Sequence, residues 1–480
     1  MKMLRRTLLT ITVGVMALAT SVPTRAKTLC VNPAGTHGCF NAIAKAVAAA
    51  SPNDTIKVSA GTYKEDVVIG IPLSVIGAGA EETTIDATGR SNGVFVDGFD
   101  HAGLHNVTVA GFTIKNALNE GVLVVSASDV TIRDNHIIDN DKNPGLAFNP
   151  NLAAGCPGQP AFETDETGDC GGAVHLIGTS NSILSGNLVT GNADGLLISD
   201  ESAESRDNLV IHNKFLNNPL ECGIVLASHA PVGSSGPHFA PHFGVDHNTV
   251  AENISTANGV AIGGSGVGLF SDGNGPGRVA NNVIIRNKLT GNGLGGVALH
   301  THVGPAFGAP ADNMDGNQII GNFIAGNNAD TFDTATPGRV GININSGDGG
   351  SPVRGTIISH NVIRDEDVDI AVNTPAEVDI HLNDLLGEKI GVADVCALDK
   401  AKICTGTIDA TENYWGCPVG PGGKECSTVS GSDIRFTPWL EKLVGDDDEN
   451  GRGDHDALIF DSTNGWDAAL LVTAKRHRIA

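Results

Sequence analysis

Acidic, imidazole and hydroxyl side chains recur at one point of a repeated phrase in this sequence. After a segment of the form Gly-apolar-x-apolar come Ser199 and Asp200, then Ser228 and His229, then Ser271 and Asp272. His300, Thr301 and His302 follow in the next copy, and Asn345, Ser346 and Asp348 in the one after. Stacked at the spacing of neighbouring strands, about 4.8 Å, such residues form a stripe. Asp200, His229, Asp272, His300 and His302 would then be an acid/base set. In glycoside hydrolysis a pair such as Asp200 and Asp272 would protonate the leaving oxygen and support an oxocarbenium-like transition state. In lyase or epimerase chemistry one base removes the proton alpha to a carboxylate that a cation neutralises. His229, His238, His242 and His302 offer a second use, as ligands; calcium or a transition metal is the cofactor open to such a stripe. Against both stands a plain alternative, since Asp, Ser and His are ordinary turn residues.

A stripe needs elements that repeat in register. Gly accounts for 62 of 480 residues and aromatics for only 4%, which suits many short strands and tight turns better than a core of large side chains. Val107-Thr-Val-Ala-Gly-Phe-Thr-Ile114 and Val130-Thr-Ile-Arg-Asp-Asn-His-Ile137 are one phrase, 23 residues apart. The phrase returns around Asn187, Asn213, Asn248, Asn287, Asn322 and Asn361, at steps of 26, 35, 39, 35 and 39. A fixed coil with loop insertions accounts for that spread. Each phrase alternates apolar and polar residues, as a half-buried strand does, and Asn or Gly then permits a left-handed turn. The asparagines therefore read as turn and stacking residues. A second strand follows in most coils: Gly121-Val-Leu-Val, Gly195-Leu-Leu-Ile, Gly223-Ile-Val-Leu, Gly296-Val-Ala-Leu and Gly341-Ile-Asn-Ile. Near residue 260 two alignments fit, Gly259-Val-Ala-Ile and Gly266-Val-Gly-Leu.

No single coil can bury its own inner face, so the coils must stack. The expected architecture is all-β, a single-stranded right-handed parallel β-helix, a solenoid with an N-terminal capping helix at about 40–50. Phe40, Ile43, Ala44 and Val47 supply that helix with an apolar face. The solenoid should run over 27–440, closed by a Cys-bearing cap at about 387–440 and followed by an acidic tail, 441–480.

Residues 1–26 read as an export signal: Lys2, Arg5 and Arg6, an apolar stretch from Leu8 to Ala19, and Thr24-Arg25-Ala26 for cleavage. Its removal takes away four basic residues and moves the net charge from −24 to −28. Such a chain repels nucleic acid and anionic membrane. No later segment has the length of a membrane span. A secreted or periplasmic protein is expected, with Cys30/Cys39, Cys156/Cys170, Cys396/Cys404 and Cys417/Cys426 as close disulfide pairs and Cys222 as a buried thiol.

Asp54-Thr-Ile-Lys-Val-Ser-Ala-Gly-Thr-Tyr63, Pro72-Leu-Ser-Val-Ile-Gly-Ala-Gly79 and Thr84-Ile-Asp86 resemble the opening coil of pectin-lyase-like right-handed β-helices. The similarity extends to pectin methylesterases and to the periplasmic β-helix accessory family of nitrous oxide reductase maturation. Asn413-Tyr-Trp-Gly416, Gly420-Pro421 and Pro438-Trp439-Leu440 are similar to the end of many β-helix-repeat proteins. Together these resemblances span roughly 28–440 and imply a fold, not an activity. The two-aspartate pattern of pectin methylesterases, the signatures of polygalacturonases and the Asp-Pro-His-Asp of mannuronan epimerases are absent. Val245-Asp246-His247-Asn248 is similar to the Trp-Ile-Asp-His of pectate lyases without its Trp, and reads as the ordinary repeat seen in Ile211-His212-Asn213. Two functions follow. One is a polysaccharide-binding or polysaccharide-processing protein, as lyase, epimerase or hydrolase. The other is a non-catalytic scaffold, adhesin-like or metal-handling.

Overall fold

The computed structural model describes residues 25–142, 172–231, 241–271, 276–301, 304–305, 308–331, 336–345, 350–373, 376–396 and 405–444. One turn of the solenoid visits three sheets in order. Leu209–Ile211 belongs to the first, of 14 strands, Lys214–Leu216 to the second, of 11, and Ile224–Ser228 to the third, of 12. Neighbouring strands come from successive turns and pair in parallel, as Leu209 does with Thr249 and Thr249 with Val283. A right-handed parallel β-helix is the result.

Apolar residues of each strand point inward and pile coil on coil. In the third sheet Val94, Val122, Val174, Leu196, Ile224, Val267 and Val297 form one such buried column. The strand Val267–Ser271 settles the alignment near residue 260 in favour of Gly266. At the N-terminal end the helix Ile43–Ala49 packs on the opening coils through Ile43 and Ala46. Ala44, assigned above to the apolar face, is exposed, and Glu65 accepts the N–H groups of both Ile43 and Ala44 at the helix start. At the other end Trp415 is fully buried against the ring edge of Phe436. Cys30–Cys39 and Cys417–Cys426 are disulfides; Cys396 is also disulfide-bonded, and Cys222 is a buried free thiol. Cys156, Cys170 and Cys404 lie outside the described residues, as do the signal segment up to residue 24 and the tail beyond 444. No described helix is long and apolar enough to cross a membrane.

The corners between sheets are held by asparagine ladders. Asn135, Asn187, Asn213, Asn253, Asn287, Asn322, Asn361, Asn383 and Asn413 stack after the first-sheet strands. Each side-chain oxygen accepts the backbone N–H and the amide N–H of the preceding asparagine, at about 3 Å. A second ladder, Asn140, Asn192, Asn218, Asn258, Asn292 and Asn327, follows the second-sheet strands and ends on Glu366. A third precedes the first sheet and runs Ser182, Asn208, Asn248, Asn282, Asn317. Asn248, grouped above with Asn213 and Asn287, thus belongs to a different corner, and Asn253 takes its place. The phrase Val245–Asn248 looks like the repeat because the same turn chemistry serves two corners.

Asn287 shows what a rung is worth. Its oxygen accepts from Asn253 N and Nδ2 at 2.9 and 3.0 Å, and its Nδ2 donates to Val250 O at 2.9 Å. Replacing it by Ala strands buried donors and an acceptor, each costing about 1–3 kcal/mol. Asn287→Ala is expected to lower the melting temperature and to speed amide exchange in the two adjoining coils. The exposed Asn328→Ala should leave both nearly unchanged.

Candidate active site

The third-sheet strands end in the stripe read from the sequence. Ser228 pairs with Ser271 and Ser271 with Thr301, and continuation of the Ile198–Leu226 register sets Asp200 beside Ser228. Asp200 is fully buried. One of its oxygens accepts the His229 N–H at 2.8 Å. The other accepts the Ser228 hydroxyl at 3.1 Å and the Gly244 N–H at 2.5 Å. Ser228 Oγ also lies 3.0 Å from Nδ1 of His242 and accepts the Arg278 N–H at 3.2 Å. His229 is buried as well, with Nδ1 3.0 Å from a carboxylate oxygen of Glu201. Burial pushes the Asp200 carboxyl up to about 7, against the pull of the Gly244 N–H and with help from the charge of Glu201. A proton is therefore held near neutral pH, next to a buried imidazole–carboxylate pair.

Of the residues singled out in the sequence, Asp200, His229 and His242 come together. His300 does not join them. It pairs with Phe270, its ring centroid 4.3 Å from that of Phe270, and so stands one residue out of step with the Ser271–Thr301 column, on the other face of the strand. Asp272, His302, His238, Ser346 and Asp348 lie outside the described residues. Glu201, His175 and Arg278 escaped the sequence reading. Glu201 follows Asp200 directly, and that acidic doublet was a usable signal. Ser199 meets Nε2 of the buried His175 at 2.8 Å on the outer side of the third sheet, which no periodicity announces. Beside the stripe a small fourth sheet of three strands, Ser205–Arg206, Val245–Asp246 and Val279–Ala280, carries an ion network. Arg278 there bridges Asp246 and Glu204. His247 is thus not the equivalent of His212: Asp246 before it lies in the fourth sheet, whereas Ile211 before His212 lies in the first, which corrects the reading of Val245–Asn248 as ordinary repeat.

Among the described residues, one group of three metal-type donors lies close enough to share an ion: Asp379, His381 and Asp409. It sits on the first sheet, far from the stripe. The guanidinium of Arg435 already rests on Asp409, and His381 Nδ1 meets Thr411 O at 2.9 Å.

Buried acids, Asp200, Glu366 and Asp369 among them, dictate a pH dependence. Burial raises Glu366, like Asp200, to about 7, although Asn327 donates to it. Between about pH 4, where an unfolded carboxyl titrates, and pH 7, the native chain binds protons that the unfolded chain has released. The stabilising contribution is therefore complete below pH 4 and lost as the pH rises to 7. Asp367, lowered to about 2 by Lys389 and Arg339, acts oppositely, its contribution fading as the pH falls from 4 to 2. Melting temperatures should be highest near pH 4–5 and decline towards 7, and Asp200→Asn should flatten part of that decline.

Comparison with known proteins gives a family model, right handed beta helix region, over residues 81–245. No curated protein matches. Among solved structures, the catalytic domain of a GH87 alpha-1,3-glucanase in complex with tetrasaccharides shares 12% identity, with TM-score 0.51, over 88% of this chain and 70% of that one. A mannuronan C-5 epimerase A-module of Azotobacter vinelandii shares 12%, with TM-score 0.48, over 83% and 93%. ORF18 of Geobacillus virus E2 shares 12%, with TM-score 0.43, over 69% of this chain, which spans about half, 52%, of that protein. The likeness to the glucanase domain, at 12% identity, is one of fold. All-parallel sheets wound in three-strand coils, together with the match over 81–245, give this chain a right-handed parallel β-helix fold.

Proposed function

We propose that the chain is an exported protein that binds or processes polysaccharide along its solenoid, with the stripe at the third-sheet strand ends as the reacting centre. Residues 1–26 are its signal, 27–440 the working solenoid and 441–480 an acidic tail. The disulfides Cys30–Cys39 and Cys417–Cys426 suit an oxidising compartment. A glucanase domain of the same fold holds tetrasaccharides.

The observation that carries the reading is Asp200. Its carboxyl is held at about 7 beside the strand ends Ser228, Ser271 and Thr301. A carboxyl that keeps its proton near neutral pH is what protonation of a glycosidic oxygen requires. Asp272 would be the paired carboxylate. His229, oriented by Glu201, would act as the base of an elimination or epimerisation, with His302 along the sugar. If an ion neutralises a substrate carboxylate, His229, His238, His242 and His302 are the side chains to hold it.

The second reading, a scaffold without catalysis, draws on a specific feature. Asp200 spends its oxygens on two backbone N–H groups and a hydroxyl, which is how a residue clamps loops.

Purified protein incubated with neutral glucans, alginate and pectate separates the two, using reducing-end and unsaturated-uronate assays with a glycan-binding measurement. The expected result is turnover of one polysaccharide class, falling about 100-fold or more in kcat for Asp200→Asn with little change in KM. Binding without turnover establishes the scaffold, and the absence of both overturns the proposal.

A further inference from the structure

Solvent-facing positions of the first sheet should be polar, since that face of a solenoid meets water. On its early coils these positions are mixed rather than apolar throughout: Ser74 and Ile76, then Thr108 and Ala110, then Thr131 and Arg133. The next six coils differ. One outward column reads Ile183, Leu209, Thr249, Val283, Gln318, Ile357 and the other Ser185, Ile211, Ala251, Ile285, Ile320, Ser359. Ile183 and Ile357, at the two ends, are 39% and 37% exposed. Beyond them Asp379 and His381 restore a charged surface.

The patch has two properties that bear on its occupant. It carries no aromatic ring and no unpaired backbone edge, so it suits neither sugar stacking nor strand addition. It is also close to palindromic. Read from either end, the coils pair Ile183 and Ser185 with Ile357 and Ser359, Leu209 and Ile211 with Gln318 and Ile320, and Thr249 and Ala251 with Val283 and Ile285. The turn residues bordering the patch follow the same symmetry. Glu252 lies on the third coil and Arg286 on the fourth, joined within the chain by an ion pair that His212 also enters, 2.6 Å from Glu252. A two-fold axis along the strand direction, between those coils, would bring Glu252 of one copy against Arg286 of the other, twice.

We propose that this face is the interface of a two-fold symmetric homodimer, with a second copy of the chain as its occupant. Sheet faces pack in this way at about 10 Å separation, aliphatic columns interdigitating. The apolar centre covers about 290 Å² per copy, from six coils at about 4.8 Å and three residues at about 3.3 Å. A standard interface buries about 800 Å² per partner, so the flanking turns must contribute and the dimer forms reversibly at high concentration.

Sedimentation velocity of the full chain from roughly 1 µM to 1 mM tests the proposal. The wild type should shift from monomer to dimer across that range, and Ile211→Lys should remove the shift. Glu252→Arg alone and Arg286→Glu alone should each stay monomeric, since each sets like charges across the axis. An equimolar mixture of the two should dimerise, because the unlike charges then meet at both contacts. Melting temperatures close to wild type show that each variant folds. A monomer at every concentration, a dimer indifferent to Ile211→Lys, or failure of the mixture to recover association overturns it. Cross-linking from position 211 to other parts of the same chain, or to a different protein, would identify another occupant and also overturn it.

Discussion

A chain that turns a corner every few residues leaves backbone N–H groups inside the turn, out of reach of water and of the sheet ladders. Each must find an acceptor or the coil does not close. The three asparagine ladders meet that demand. Every rung supplies one oxygen to the N–H of the coil before it, and the short side chain suits a turn that longer ones would crowd. The inner columns of Val, Ile and Leu give the solenoid its cohesion, but the ladders set where each coil bends, and so which residues come to lie above one another.

The stripe of Asp200, Ser228, Ser271 and Thr301 is a product of that alignment. It stands where the third-sheet strands end and chain of variable length leaves before the next coil begins. Regular stacking fixes this column while the segments that follow it differ in length from coil to coil, so that, on the proposed function, substrate preference can vary without disturbing the solenoid. The buried acids follow from the same geometry. A carboxyl that replaces a neutral rung or strand-end residue is taken out of water by its neighbours above and below, and its affinity for protons rises accordingly.

Most of the fold was legible because its signals repeat. The alternation of apolar residues, the asparagine at most turns and the Gly-apolar-x-apolar strands named their places, while the column of Asp200, Ser228 and Ser271 is one residue out of step with the reading that set Ser199 level with Ser228. The failures share a cause. Asn248 was assigned to the wrong ladder because two corners use the same turn residue, and only the hydrogen bonds to Asn208 and Asn282 tell them apart. His300 was placed in the stripe, yet one residue of offset puts it on the opposite face beside Phe270. Glu201 was missed because its role depends on the chain folding back through His229.

The asparagine amides all point the same way. Along each ladder the oxygen accepts from the earlier coil while the backbone N–H and one NH₂ hydrogen donate to the later one, the second NH₂ hydrogen returning to a carbonyl of the earlier coil, so every row of rungs has a direction. A coil is thereby a tile with an arrow on it, and any tile fits any other in head-to-tail order. Lengthening such a protein by duplicating a coil needs no new chemistry at the join. Glu366 marks where one of these rows stops, because a carboxyl can receive from Asn327 but has no NH₂ to hand on.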